Sequence, residues 1–175
     1  AYQFRRLATT TPLCYRLLLG RVMEKTDARI LAWCLMSNHV HLVVRAGRDP
    51  LSRLMKPLHS GFGVWFAARI GKRGPVFADR YRSILVEEDA YLFQLIRYVH
   101  NNPVRAGAAA DAADSIWSSH RAYLGIEQCP QWLKAGYVLG MFSSDPDEAR
   151  RLFAQYVMEG KNEARRPDLC GEGLK

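Results

Sequence analysis

At 175 residues, 49% of them hydrophobic, the chain is long enough for one domain with a real core, with or without an appendage. No apolar run approaches the roughly 20 residues that span a bilayer. Four cysteines, Cys14, Cys34, Cys129 and Cys170, are scattered without a CxxC pair, which argues against a zinc ribbon or a disulfide framework and suits a reduced cytosol. Lys plus Arg is 25 against 17 Asp plus Glu, a net charge of +8. Between Arg45 and Arg105 there are 11 basic and 5 acidic residues, so a surplus of 6 of the 8 lies in that third of the chain. Most of these are arginines, which fork onto phosphate and stack on bases, and the pattern points to nucleic acid.

In chain order, residues 2–26 read as a helix with apolar positions Leu7, Leu17, Leu18 and Val22, broken or kinked at Pro12. "ARILAWCLM" at 28–36 reads as a strand and "HVHLVVR" as its antiparallel partner, with Ser37 and Asn38 in the tight turn. Residues 51–70 have helical spacing at Leu51, Leu54, Met55, Leu58, Phe62, Trp65 and Phe66. After the loop "GKRGP", the alternation of "YRSILV" suggests a third strand. Glu87, Glu88 and Asp89 open the helix "EEDAYLFQLIRYVHNN", where acids complement the helix dipole, and Pro103 is expected to stop it. Beyond residue 108, "SIWSSHRAYLG" and amphipathic segments near 131–142 and 145–159 suggest a small helical appendage, followed by a disordered tail. The order is that of an α+β fold, an antiparallel sheet covered by helices on one face.

Two places carry chemistry. In "MSNHVHLVV", His39 and His41 are separated by one residue on a strand, so both imidazoles share a face and can approach one ion. The bland alternative is a pair of core histidines bonded to backbone carbonyls. In "IRYVHNNPVRAG", Tyr98 and Asn102 are four apart and share a helix face. Tyrosine is a plausible nucleophile toward phosphorus, and a neighbouring amide oxygen can be a hard metal ligand. Taken alone, a core tyrosine and a turn asparagine explain this segment as well. Tyr91, at i−7, lies on nearly the same face as Tyr98, but only Tyr98 is one turn from Asn102. His100 falls on a different face and reads as structural; His59 and His120 carry no assignment.

Together "MSNHVHLVV", "GPVFADRYRSILVEEDAYLFQLIRYVHNNPVRAG" and the later "WSSHRAYLG" resemble the single-tyrosine transposases of the HUH nuclease superfamily, the bacterial branch with the REP-associated tyrosine transposases in particular. The resemblance covers about residues 1–160, and the family's first strand, with its Arg-Gly-Asn segment, would fall before Ala1. It implies a ferredoxin-like core at 1–107, a helical extension at 108–160 and a tail at 161–175. It also implies a divalent metal held by His39, His41 and Asn102, with Tyr98 as the nucleophile. Ligand softness alone would favour Zn²⁺ or Mn²⁺; the resemblance favours Mg²⁺ or Mn²⁺. The expected reaction is cleavage and rejoining of single-stranded or hairpin DNA, at palindromic repeats or element ends, through a 5′-phosphotyrosine link. The setting would be the bacterial cytoplasm, at the nucleoid. Arg80, Arg82, Arg97 and Arg105 are the candidate DNA contacts. Two readings compete: an idle, domesticated DNA-binding protein, and a metal-dependent nuclease that uses water.

Overall fold

The computed structural model describes residues 2–71, 74, 76–77, 79–86 and 89–163. They fall into two compact units, one of 1–29 and 46–81, the other of 30–45 and 82–175.

The first unit is a pair of helices. α1 (Tyr2–Met23) buries Tyr15, Leu19 and Met23, one residue per turn along a single stripe, while Leu17 is exposed. It continues through position 12, so the break expected at Pro12 does not occur. An interior proline costs a helix about 3 kcal/mol, which burial of this stripe offsets. α2 (Ser52–Ile70) answers with Leu54, Met55, Leu58 and Phe62, and Phe62 meets Tyr15 edge-on at 5.2 Å. Gly71, at φ 65°, ends α2 in the left-handed conformation that glycine adopts without penalty. Before α2, the Asp27 carboxylate accepts from the backbone N–H groups of Arg48 (2.8 Å) and Asp49 (3.3 Å). Those bonds hold its pKa below the ordinary carboxylate value.

The second unit holds the sheet. β1 (Arg29–Leu35) and β2 (Val40–Arg45) form an antiparallel hairpin, and the Met36 N–H donates to the His39 carbonyl across Ser37 and Asn38, as the sequence suggested. Every β1 residue from Ile30 to Leu35 is buried, which accounts for a continuous apolar run where a half-buried strand would alternate. The other edge of β1 is closed by the "WSS" segment. Leu35 N–H donates to the Trp117 carbonyl (2.7 Å) and Ser119 N–H to the Trp33 carbonyl (2.9 Å), and Lys134 N–H reaches the Ile30 carbonyl (2.9 Å).

Tyr81–Val86 forms no strand, contrary to expectation: Leu85 is 81% exposed, so the segment turns no consistent apolar face inward. α3 (Asp89–Arg105) buries Ile96 and everything from Tyr98 to Asn102. Pro103 does not stop it. The chain leaves the helix at Gly107 (φ 67°), after Ala106 N–H has bonded the Asn102 carbonyl. A proline near a helix end forfeits only one hydrogen bond. The C-terminal helices are present as expected: α4 (His120–Tyr123), α5 (Ala135–Leu139) and α6 (Pro146–Glu159). α6 starts with Asp145 accepting from Glu148 N–H (2.7 Å) and Pro146 in the first turn. It buries Ala149, Phe153 and Val157 at helical spacing, and Phe153 stacks on Tyr123 at 4.6 Å. Glu87, Glu88 and 164–175, expected as capping charges and a disordered tail, lie outside the described residues. Among the described residues no helix is long and apolar enough to cross a membrane.

Candidate active site

The hairpin and α3 lie in the same unit and meet through β2. At the start of β2 the His39 and His41 side chains emerge on one face, as a two-residue repeat requires, with their Nε2 atoms 3.0 Å apart. His39 Nδ1 is 2.7 Å from the Asn38 side-chain oxygen, to which it donates, leaving Nε2 as the nitrogen that faces His41. His41 packs its ring edge-on against the Tyr98 ring, with centroids 5.9 Å apart. Burial, then the proximity of His39 and Arg105, lowers the His41 pKa to about 4. At neutral pH this imidazole is therefore uncharged, the form that ligates metals.

Tyr98 is 4% exposed. Asn102, one turn further along α3, is 7% exposed, and its Nδ2 is buried with no hydrogen-bond partner among the described residues. Amide oxygen and nitrogen have nearly the same outline, so the same carboxamide turned over offers an oxygen where the unpartnered nitrogen stands. No cluster of three or more His, Cys, Asp or Glu that could hold a metal ion exists among the described residues. The spacing of the two histidine nitrogens suits one divalent cation: two nitrogens about 2.1 Å from an ion, at right angles, stand roughly 3.0 Å apart.

The four arginines divide. Arg80 and Arg82 are exposed. Arg97 is turned inward, paired with Glu163 and lying over the Tyr156 ring at 4.5 Å, past Gly160 where a Cβ would come within 2.5 Å of it. Arg105 folds back along α3, its Cζ 3.8 Å from the centre of the Tyr98 ring and its guanidinium donating to the Tyr98 carbonyl. Spacing carries the signal for the second of these, since Arg105 is at i+7 from Tyr98 on the same helix face.

A second set is buried around His100, which the sequence reads as structural, and His120, which it leaves unassigned. His100, fully buried on α3, has its Nε2 2.8 Å from Ser119 Oγ, and Trp33 N–H donates to the same oxygen at 3.0 Å. His100 Nδ1 then faces His120 Nδ1 at 3.3 Å. Burial lowers both histidines, His120 to about 4, so both are neutral. No short-range signal links residues 33, 100 and 119; the only hint was three polar residues inside apolar surroundings.

The chain matches the family model described as "Transposase IS200 like" over residues 5–102. This stretch exceeds half the chain and includes His39, His41, Tyr98 and Asn102, while Arg105 and the C-terminal helices lie beyond it. Comparison with curated proteins and with solved structures yields no match. The paired histidines, the tyrosine helix and the family match converge, and the chain belongs to the IS200-like transposase family.

Proposed function

We propose that this transposase nicks and rejoins single-stranded DNA with Tyr98 as the covalent nucleophile. The observation that carries the reading is the contact of the His41 ring with Tyr98 at 5.9 Å, with His39 Nε2 3.0 Å from His41 Nε2, all within the family-matched stretch. A divalent ion, Mg²⁺ or Mn²⁺, held by His39, His41 and Asn102 would supply positive charge to the non-bridging oxygens of the scissile phosphate. All three side chains are neutral, so they would leave that charge undiminished.

The chain's own work is placement. Tyr98 Oη forms a bond to phosphorus as the P–O3′ bond breaks; the phenolic proton passes to water and the departing oxygen takes one up as a 3′-OH. The DNA stays on the protein through a 5′-phosphotyrosine. Because one phosphodiester replaces another, a second 3′-OH can reverse the step and join a new strand without external energy. A helix-borne, 4% exposed tyrosine favours a single strand or hairpin, which can bend to reach it, over an intact duplex. The exposed Arg80 and Arg82 would hold its phosphates, with binding that weakens as salt rises. In this reading residues 1–107 carry the nuclease segment and 108–160 the helical extension, and the protein works in the cytoplasm where nucleoid DNA is transiently single-stranded.

The test is incubation with a single-stranded element end and Mg²⁺ or Mn²⁺, resolved on a denaturing gel. A covalent adduct at the 5′ phosphate is expected; it should vanish in Tyr98→Phe and survive in Tyr91→Phe. An adduct that persists in Tyr98→Phe, or maps to a 3′ phosphate, overturns the mechanism. No adduct from the unaltered chain would mark an idle DNA-binding protein, and free cleaved ends without an adduct would mark a water-using nuclease.

A further inference from the structure

We propose that Arg105 is a positioning residue for the Tyr98 nucleophile and not a contact for the DNA backbone. The inference rests on Tyr98 being the nucleophile, and it concerns a residue three positions beyond the family-matched stretch.

Helical side chains lean toward the N-terminus, and residues seven apart lie on one face. Arg105, in the last turn of α3, therefore reaches back over Tyr98. Its Cζ stands 3.8 Å from the ring centre, close enough for the guanidinium to lie on the ring, and a guanidinium nitrogen donates to the Tyr98 backbone carbonyl. The side chain is thus fixed at both the ring and the backbone of one residue. His41 meets the same ring edge-on, at an interplanar angle of 88°. Held by a cation on its face and an imidazole beside it, the phenol keeps one direction for its oxygen. A tyrosine has two soft side-chain torsions, and a loose ring would sweep its hydroxyl off the line of attack.

The ring attracts the guanidinium through its quadrupole, and the attraction grows when the site is desolvated. Arg105 is half-buried, so this contact is not diluted as it would be on the surface. One guanidinium nitrogen is committed to the Tyr98 carbonyl and the other, Nη1, is buried, so neither is turned to solvent where a phosphate would be gripped. Arg82, which is exposed, shows the arrangement a backbone contact would have.

A positioning role and a DNA contact change different quantities. Misplacement of a nucleophile by about 1 Å costs roughly 100-fold in rate without touching affinity. Loss of one phosphate contact weakens binding and makes the slope of log K against log[salt] shallower by about 0.7 on single strands. The experiment compares the unaltered full chain with Arg105→Gln, Arg105→Lys and Arg82→Gln on a single-stranded oligonucleotide carrying the element end. The rate of adduct formation is measured at saturating DNA, and Kd across a salt series. For Arg105→Gln a roughly 10- to 100-fold slower rate is expected, with Kd within about twofold and the salt slope unchanged. Arg105→Lys keeps the cation and should recover part of the rate. Arg82→Gln should show the opposite pattern. If Arg105→Gln fails to fold by circular dichroism, Arg105→Lys carries the same comparison.

An unaltered rate in the Arg105 variants, or weaker binding with a shallower salt slope, overturns the inference while leaving Tyr98 as nucleophile. No adduct from the unaltered chain removes the Tyr98 reading itself, and the inference with it.

Discussion

Ser119→Ala removes a single oxygen at the meeting point of three segments of the second unit. Ser119 Oγ is fully buried, hydrogen-bonds His100 Nε2 at 2.8 Å, accepts from Trp33 N–H at 3.0 Å and lies 3.3 Å from the Trp33 carbonyl. Deleting it takes a partner from a fully buried imidazole on α3 and from a buried amide on β1, in a space that alanine leaves too empty to replace the bonds. Each buried polar group deprived of its partner costs about 1–3 kcal/mol, and two groups sharing one oxygen are coupled, so the total is expected near 3 kcal/mol. Against the 5–15 kcal/mol that stabilises a typical protein, this is a large fraction. For a chain of this length it corresponds to a fall in Tm of about 6–12 °C. Urea and thermal unfolding measure it directly. His100→Ala should make the same hydroxyl less important, so the double variant should cost less than the sum of the singles. A loss under about 1 kcal/mol for Ser119→Ala, or strict additivity with His100→Ala, would show that the hydroxyl does not join the two segments.

Acid should weaken the second unit. His120 falls from 6.5 to about 4 on folding and His41 likewise, so the unfolded chain binds more protons between those values. Their stabilisation is complete above pH 6.5 and is lost as pH falls toward 4; for His120 it is worth about 3 kcal/mol. An unfolding midpoint that stays level from pH 7 to pH 4.5 would contradict this. In the active site, His39→Ala and His41→Ala should each abolish adduct formation while leaving most of the single-strand affinity, measured by fluorescence anisotropy. Chelation of the unaltered chain should do the same, and full activity in excess chelator would remove the metal assignment.

The parts of this molecule legible in the sequence are those written at short range. Two histidines one residue apart, and Tyr98 four residues before Asn102, carry their geometry in the regular spacing of strand and helix. The hairpin turn at Ser37–Asn38 and the helices around Phe62 and Phe153 followed from local pattern in the same way. Pro12 and Pro103 misled because proline's local penalty is a few kcal/mol, less than tertiary packing supplies. "YRSILV" alternated without being a strand, since alternation predicts a strand only where one face has something to cover. Arg97 and Arg105 read as candidate DNA contacts because charge composition says nothing about which ring or carboxylate lies beside a guanidinium. The Trp33, Ser119 and His100 junction spans 86 residues of chain and has no periodic signature.

The closure of β1 by residues 117–119 bears on how this protein can be cut, fused or diversified. An unpaired, apolar strand edge is a template for joining another chain. A shortened chain ending near Gly107 would keep every proposed catalytic residue and expose the backbone groups of Trp33 and Leu35 that Trp117 and Ser119 now cover. Such a fragment would carry His39, His41, Tyr98 and Asn102 on a sheet prone to oligomerise. Tags and insertions are better placed in the exposed stretch around Gln128 and Cys129, and drift in the extension is held in check by the strand it seals.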